Sequence, residues 1–194
     1  MTPLYDDPLA ALNQRISTPS RQLGEPGPTA EQLDRLLSAA IRVPDHGKLT
    51  PWRMLLVRGD DRISLGEKIA AIHARVAPDA APSALTKDRE RFTFAPLIVV
   101  VIARIADDHP KVPAQEQLLS AGCVAYNLLI GAQALGLSAQ WLTGWAAYDR
   151  DVASLFGLHE NERILAFVHI GTSREWPPER SRPLLADVVS DWHS

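Results

Sequence analysis

Three short stretches carry side chains suited to chemistry, and they lie far apart in the chain. Arg15, Ile16 and Ser17 place a guanidinium and a hydroxyl where a helical segment gives way to a loop. A guanidinium offers parallel donors to two oxygens, so an arginine with a nearby hydroxyl suits a phosphate monoester. The second stretch is RVPDHGKLTPWR, residues 42–53, which sets Arg42, Asp45, His46 and Trp52 among two prolines and a glycine. A connection that only reverses the chain needs turn residues, and Gly47 with either proline would serve. The third is WLTG, comprising Trp141, Leu142, Thr143 and Gly144, at the end of a strand-like run. Glycine there lets a flat ring approach the backbone. Taken singly, each stretch also has a plain structural explanation: solvated charge, turn chemistry, a core tryptophan.

Other signatures are missing. No G-x-G-x-x-G follows a strand, no G-x-x-x-x-G-K-[ST] is present, and no G-x-S-x-G. The chain therefore lacks the marks of a Rossmann domain, a P-loop and an α/β-hydrolase. His46, His73, His109, His159, His169 and His193 show neither H-x-x-x-H nor H-E-x-x-H spacing, so a zinc site is not expected. Cys123, in an apolar helical run with no histidine near it, reads as a small buried packing residue. Glu116 suits the positive end of the same helix.

The elements that must position these groups follow from periodicity. Residues 9–16, LAALNQRI, form a short helix candidate, and the Pro- and Gly-bearing segment after it is loop. TAEQLDRLLSAAI opens with a capping box, Thr29 and Gln32, and sets Leu33, Leu36, Leu37 and Ala40 on one stripe. WRMLLVRG is a strand, RISLGEKIAAIHARV a helix, and residues 77–94 contain a short helix. APLIVVVIAR is the β-branched run of a strand covered on both faces. Residues 113–135 form the longest helix, apolar nearly all round after Ser120, which must be central or shared with a partner chain. SAQWLTGW and RILAFVHIGT are strands, with the short helix RDVASLFG between them. Helices thus alternate with strands around a small sheet, an α+β or three-layer pattern. The proline-rich tail has too little periodicity for its own core and is expected to wrap over something.

The bulk numbers narrow the class. A length of 194 residues suits one domain, 1–194, able to bury a core without disulfides or metal. A net charge of −3 argues against a nucleic-acid surface. The single cysteine fits a reducing cytoplasm. The start, MTPLYDDPLAAL, carries two aspartates where a secretion signal needs positive charge. The longest apolar run, APLIVVVIA, falls far short of the ~20 residues of a membrane helix. The expectation is a soluble intracellular protein.

Taken together and in order, RIS, RVPDHGKLTPWR, KVPAQEQLLSAGCVAYNLLIGAQALGL and QWLTG resemble the nitroreductase family, FMN-dependent oxidoreductases, in its compact bacterial branch. The likeness runs over residues 11–172. It implies a three-layer α+β fold, a central mixed sheet flanked by helices, and an intertwined homodimer with FMN sites at the subunit interface. Residues 173–194 would then be a C-terminal extension lying on the partner. By this resemblance Arg15, Ile16 and Ser17 hold the FMN phosphate and ribityl chain. Arg42 and His46 reach the flavin of the partner subunit, with Asp45 fixing the His46 tautomer or capping the turn. Trp141, Leu142 and Thr143 flank the isoalloxazine. Arg180 and Arg182 match a basic pair that reaches the phosphate, Arg182 being the better placed. Trp52 is read as packing in the core in preference to stacking on the flavin, since tryptophans are highly buried on average.

The chain departs from the family pattern at Ile16, where a second arginine is usual, and at Leu142 and Thr143, in place of an Arg-Ser pair. Thr50 stands where larger members have asparagine, and STPSRQL is longer than its counterpart. The implied activity is ping-pong: NADH or NADPH reduces FMN by hydride transfer to N5, and a nitroaromatic, quinone or similar small-molecule acceptor is reduced in turn. The flavin does the redox chemistry, so no protein acid–base pair is required. Two other readings keep the fold: a flavin-dependent dehydrogenase or dehalogenase of one metabolite, and a non-catalytic FMN carrier or redox sensor.

Overall fold

A computed structural model describes residues 9–175 and 177–193. The acidic start read in the sequence falls mostly within residues 1–8, outside the described residues.

The sheet is built on β3 (Leu97–Arg104), whose run LIVVVIA is buried without a break. β-Branched side chains fit a pleated surface covered on both sides. β2 (Trp52–Arg58) pairs antiparallel with β3 along its whole length, from Trp52 opposite Ala103 to Arg58 opposite Leu97. On the other edge of β3 lies β5 (Glu162–Ser173), the last and longest strand. β4 (Ser138–Leu142) pairs with β5, as does the two-residue β1 (Leu23–Gly24), which joins the end of β5 at Ser173 and Thr172.

All four ladders among the described residues are antiparallel, in place of the mixed sheet expected. The reason lies in strand order. β3 and β4 run in the same direction, joined by the long helix α5 (Ala114–Ala134), as a crossover requires. β5 then inserts between them, antiparallel to both, so the parallel neighbours never touch.

Helices cover both faces. Leu97, Val99, Val101 and Ala103 of β3 pack with Val168 and Ile170 of β5 against α2 (Ala30–Ala40) and α5. Ile98, Val100 and Ile102 pack with Phe167 against α3 (Asp61–Val76), Phe92 and α6 (Arg150–Leu155). α4 (Pro82–Glu90) lies on α3. The β3–β5 register shifts between Val101 and Ile102, so Leu165 and Ala166 both serve the α2–α5 side. This is the three-layer arrangement that periodicity implied.

The local signals acted as expected. Thr29 accepts from the Gln32 N–H at 3.1 Å, and the Gln32 side chain accepts from the Thr29 N–H at 3.0 Å. Gln32 also donates to the Leu135 carbonyl at 3.3 Å, tying the start of α2 to the end of α5. The first helix, α1 (Ala10–Asn13), is shorter than predicted. A tail helix, α7 (Leu185–Val188), adds one turn.

Candidate functional site

The loop before β2 is strained and then held. Gly47, Lys48 and Thr50 have φ of 72°, 55° and 50°, a region that residues with a Cβ seldom enter. The Asp45 carboxylate accepts from the Leu49 N–H at 3.1 Å and the Thr50 N–H at 2.8 Å, and so stabilises this backbone. Asp45 therefore caps the turn. The residue that orients His46 is Glu116, whose carboxylate lies 2.7 Å from Nδ1.

α5 supplies the other anchors. The Ser120 hydroxyl donates to the Pro44 carbonyl at 2.5 Å. Asn127 donates to the Ala40 and Arg42 carbonyls at 3.3 and 3.2 Å. The loop thus runs down α5 towards its N-terminus. Its Arg42 guanidinium and His46 Nε2 have no hydrogen-bond partner among the described residues, and both side chains face solvent. Trp52 is buried in the core.

The second cluster forms around Arg15. Its Nη1 donates to the Ser17 hydroxyl at 3.2 Å. Arg182, from the far end of the chain, donates to the Arg15 carbonyl at 3.4 Å and to Glu179 at 2.7 Å. Arg15, Ile16, Ser17 and Arg182 are brought together, whereas Arg180 contacts only the Glu179 carboxylate through its backbone N–H. The Ile16 N–H is already used, donating to Gln133 at 3.2 Å. The segment then runs beside β4. The Thr18 N–H donates to the Ala139 carbonyl at 3.1 Å, and the Ser20 N–H to the Gln140 side chain at 2.6 Å.

The third cluster is the end of β4. Trp141 turns toward the α2–α5 core, and Leu142 lines a cavity of about 720 Å³ on the opposite face. Gly144 has φ 69° and ψ −175°, a conformation for which glycine is needed. A Cβ there would also sit 3.0 Å from Arg91 Nη1. The next residue, Trp145, donates its indole N–H to Asp88 at 3.1 Å, and His73 Nδ1 lies 2.5 Å from the same carboxylate.

The third cluster adjoins the second through β4, but the first stands apart. The Arg15 segment is pinned at Gln133, near the C-terminus of α5, and His46 at Glu116, near its N-terminus. At 1.5 Å per residue those anchors are roughly 25 Å apart. One copy of the chain holds its two basic clusters at opposite ends of one helix.

Three residues with evident work were not singled out in the sequence. Gln133 and Asn127 left a trace, as polar residues in an apolar helix. Arg91 left none, since the segment around it has no clear period. Cys123 corrects its reading: it is exposed, because it lies on the face of α5 turned away from the sheet. Leu119 and Tyr126 share that exposure, at 61% and 42%. The helix is therefore buried on one side and apolar on the other.

Among the described residues no cluster of His, Cys, Asp and Glu could hold a metal ion, and no helix is long and apolar enough to cross a membrane.

Comparison with known proteins agrees with this architecture. The family described as "Nitroreductase family" matches residues 12–172. The "Putative NAD(P)H nitroreductase" of Haemophilus influenzae is 37% identical over 169 residues, covering 87% of this chain and 90% of its own. The crystal structure of a nitroreductase-like family protein from Bacillus cereus superimposes with a TM-score of 0.82, at 22% identity and 100% coverage of both chains. A protein described as a "putative nitroreductase in complex with FMN", from Desulfovibrio desulfuricans, gives a TM-score of 0.73 at 22% identity, over 98% of this chain and 100% of its own. Motif order, three-layer fold and sequence likeness over most of its length converge: the chain belongs to the nitroreductase family.

Proposed function

We propose that this protein is an FMN-dependent NAD(P)H oxidoreductase of nitroreductase type, acting as a homodimer in the cytoplasm on small-molecule acceptors. The observation that carries the reading is the meeting of Arg15, Ser17 and Arg182 beside the start of β4. These residues fit FMN at both ends. Two guanidinium groups and a hydroxyl suit a phosphate dianion. The Gly144 backbone, free of a side chain, with Leu142 and Thr143 before it, suits a flat ring, and Trp141 backs that strand end from the α2–α5 core. The Gln133 and Gln140 contacts hold the Arg15 segment against β4, so both ends of the site share one rigid frame.

When bound, FMN supplies two-electron chemistry between NADH or NADPH and a nitroaromatic or quinone acceptor, in alternating ping-pong half-reactions. The chain's own residues bind, orient and exclude water. Arg42 and His46 serve the flavin of the second copy, with Glu116 holding the imidazole so that Nε2 faces outward. The separation of the two basic clusters along α5 supports this sharing, because one copy alone cannot close both around one ligand. The apolar outer stripe of α5 supplies a surface for the second copy. The tail, residues 173–194, would lie on the partner, where its exposed Leu184, Leu185, Val188, Val189 and Trp192 would be covered.

The test is an absorbance spectrum of the purified protein. It is expected to be yellow, with about one FMN per chain, bleached anaerobically by NADPH or NADH and restored by a nitroaromatic. Arg15→Ala should weaken FMN binding by about 1.5–3 kcal/mol, the range of a hydrogen bond to a charged group. A colourless protein that cannot be reconstituted with FMN would overturn the reading.

A further inference from the structure

Behind the end of β4, three elements meet at one carboxylate. Asp88, in the last turn of α4, is only 4% exposed. It accepts from the Trp145 indole N–H through both oxygens, at 3.2 and 3.1 Å, and its Oδ2 also pairs with His73 Nδ1 of α3. The His73 and Trp145 rings pack on each other, their centroids 4.7 Å apart. A buried carboxylate is costly unless its partners are in place. The last turn of a helix is also the unfavourable end of the macrodipole for a negative charge. Asp88 is thus held against two adverse effects by groups from α3 and from the connection after β4.

The place of these contacts in the chain gives them their reach. Trp145 directly follows Gly144 and opens a single 3₁₀ turn, Trp145–Ala147, whose two alanines are buried in the cluster of Ile164 and Phe167. Arg91, three residues after Asp88, packs on the same glycine: a Cβ at Gly144 would fall 3.0 Å from Arg91 Nη1. Burial pulls the Arg91 guanidinium below its usual pKa, and the Asp88 charge opposes that shift. Asp88 therefore acts on Gly144 twice, through the indole that follows it and through the guanidinium that packs on it. Its own side chain stays behind the cavity beside β4, where Lys87, Glu90 and Arg91 face the space and Asp88 does not.

We propose that Asp88 is a positioning residue: its carboxylate fixes the connection over residues 144–147, and through it the backbone against which the flavin ring lies. The inference rests on the proposed function in taking that backbone as the ring's wall. Side-chain chemistry separates positioning from charge. Asparagine at 88 keeps both contacts, its oxygen accepting from the indole and its amide donating to His73 Nδ1 in the other tautomer. Alanine keeps neither. Trp145→Phe retains an aromatic ring and deletes only the indole donor.

The experiment titrates FMN into the purified full chain, freed of flavin, for the wild type, Asp88→Ala, Asp88→Asn and Trp145→Phe. Asp88→Ala should raise Kd about ten-fold, comparable to the loss of one hydrogen bond to a charged group, and shift the visible absorption of the bound flavin towards that of free FMN. Trp145→Phe should act in the same direction. The double variant should add little to either, because both single changes break one contact. Asp88→Asn should recover most of the wild-type affinity. Wild-type affinity and spectrum in Asp88→Ala, single effects that simply add, or an Asp88→Asn as weak as Asp88→Ala would each overturn the proposal, the last by assigning the effect to charge. Should Asp88→Ala fail to fold, Trp145→Phe decides: weakened binding with an altered spectrum supports the proposal, and unchanged binding counts against it.

A second arm reads hydrogen exchange without ligand. The Ala147 and Tyr148 N–H groups donate to the Gly144 and Trp145 carbonyls. Both should exchange faster in Asp88→Ala or Trp145→Phe, while β3 and β5 stay protected. A wild type that binds no FMN would refute the proposed function and leave exchange to decide the anchoring: unchanged exchange at these two amides would overturn it.

Discussion

At Glu162 the cost of burying a carboxylate is offset by a dense set of donors. Arg53 binds it in a fork at 2.7 and 2.8 Å, Arg104 adds a bond at 3.0 Å, and the His159 N–H adds another at 3.1 Å. The Arg53 hydrogen bonds, against the opposing effect of burial, bring its pKa down from 4.5 to about 2. A carboxylate depressed in the folded state contributes stability that is complete above pH 4.5 and lost as pH falls through 2. Glu162→Gln leaves two guanidinium groups uncompensated and should cost about 3 kcal/mol in urea unfolding at pH 7, most of it absent at pH 2. His169 acts earlier in the titration. Its depressed pKa means that the unfolded chain takes up the proton first, so stability falls as pH drops from 6.5 towards 3. His169→Leu removes both the orphaned ring nitrogens and this proton uptake. Its melting temperature should therefore change less than that of the wild type between pH 7 and pH 5; an unchanged slope would contradict the burial argument. Neither residue could be picked out from sequence, because nothing local says which glutamate meets two arginines from other strands.

Helix packing shows the same division between local and distant causes. The Thr29–Gln32 box was readable because both partners lie within one turn. The buried run of β3 was readable because seven apolar residues in succession admit few other structures. By contrast, an all-round apolar helix does not say which face is inside, and Cys123 was assigned to the wrong one. β1, two residues long, has no period at all. α3 and α4 meet at Gly66, where an added Cβ would fall 2.1 Å from the Arg89 carbonyl oxygen. Backbone cannot yield as a side chain can. Gly66→Ala should destabilise the protein by about 2 kcal/mol, since overpacking of this kind forces two helices apart. Fast hydrogen exchange in α4, with α2 and α5 still protected, would mark the damage as local.

The molecule as a whole depends on contacts that join remote parts of the chain. Arg15 and Arg182 were linked only through resemblance, and in the fold the Arg182 guanidinium donates to the Arg15 carbonyl. The resemblance gave no warning of Arg91, which lies in the segment of weakest period. If the outer face of α5 is covered by a second copy, Leu119→Glu with Tyr126→Glu should shift the mass in solution from dimer to monomer and weaken FMN retention. A dimer that persists unchanged would place the contact elsewhere. Strand order has one more consequence. β5 is the last strand made and the one that joins β1, β3 and β4. A nascent chain that stops short of residue 162 can zip only β2 to β3, and leaves the faces of β3 and α5 open to water. Assembly of this sheet must therefore wait for the ribosome to deliver its final third, and a truncated message yields sticky fragments rather than a smaller working protein.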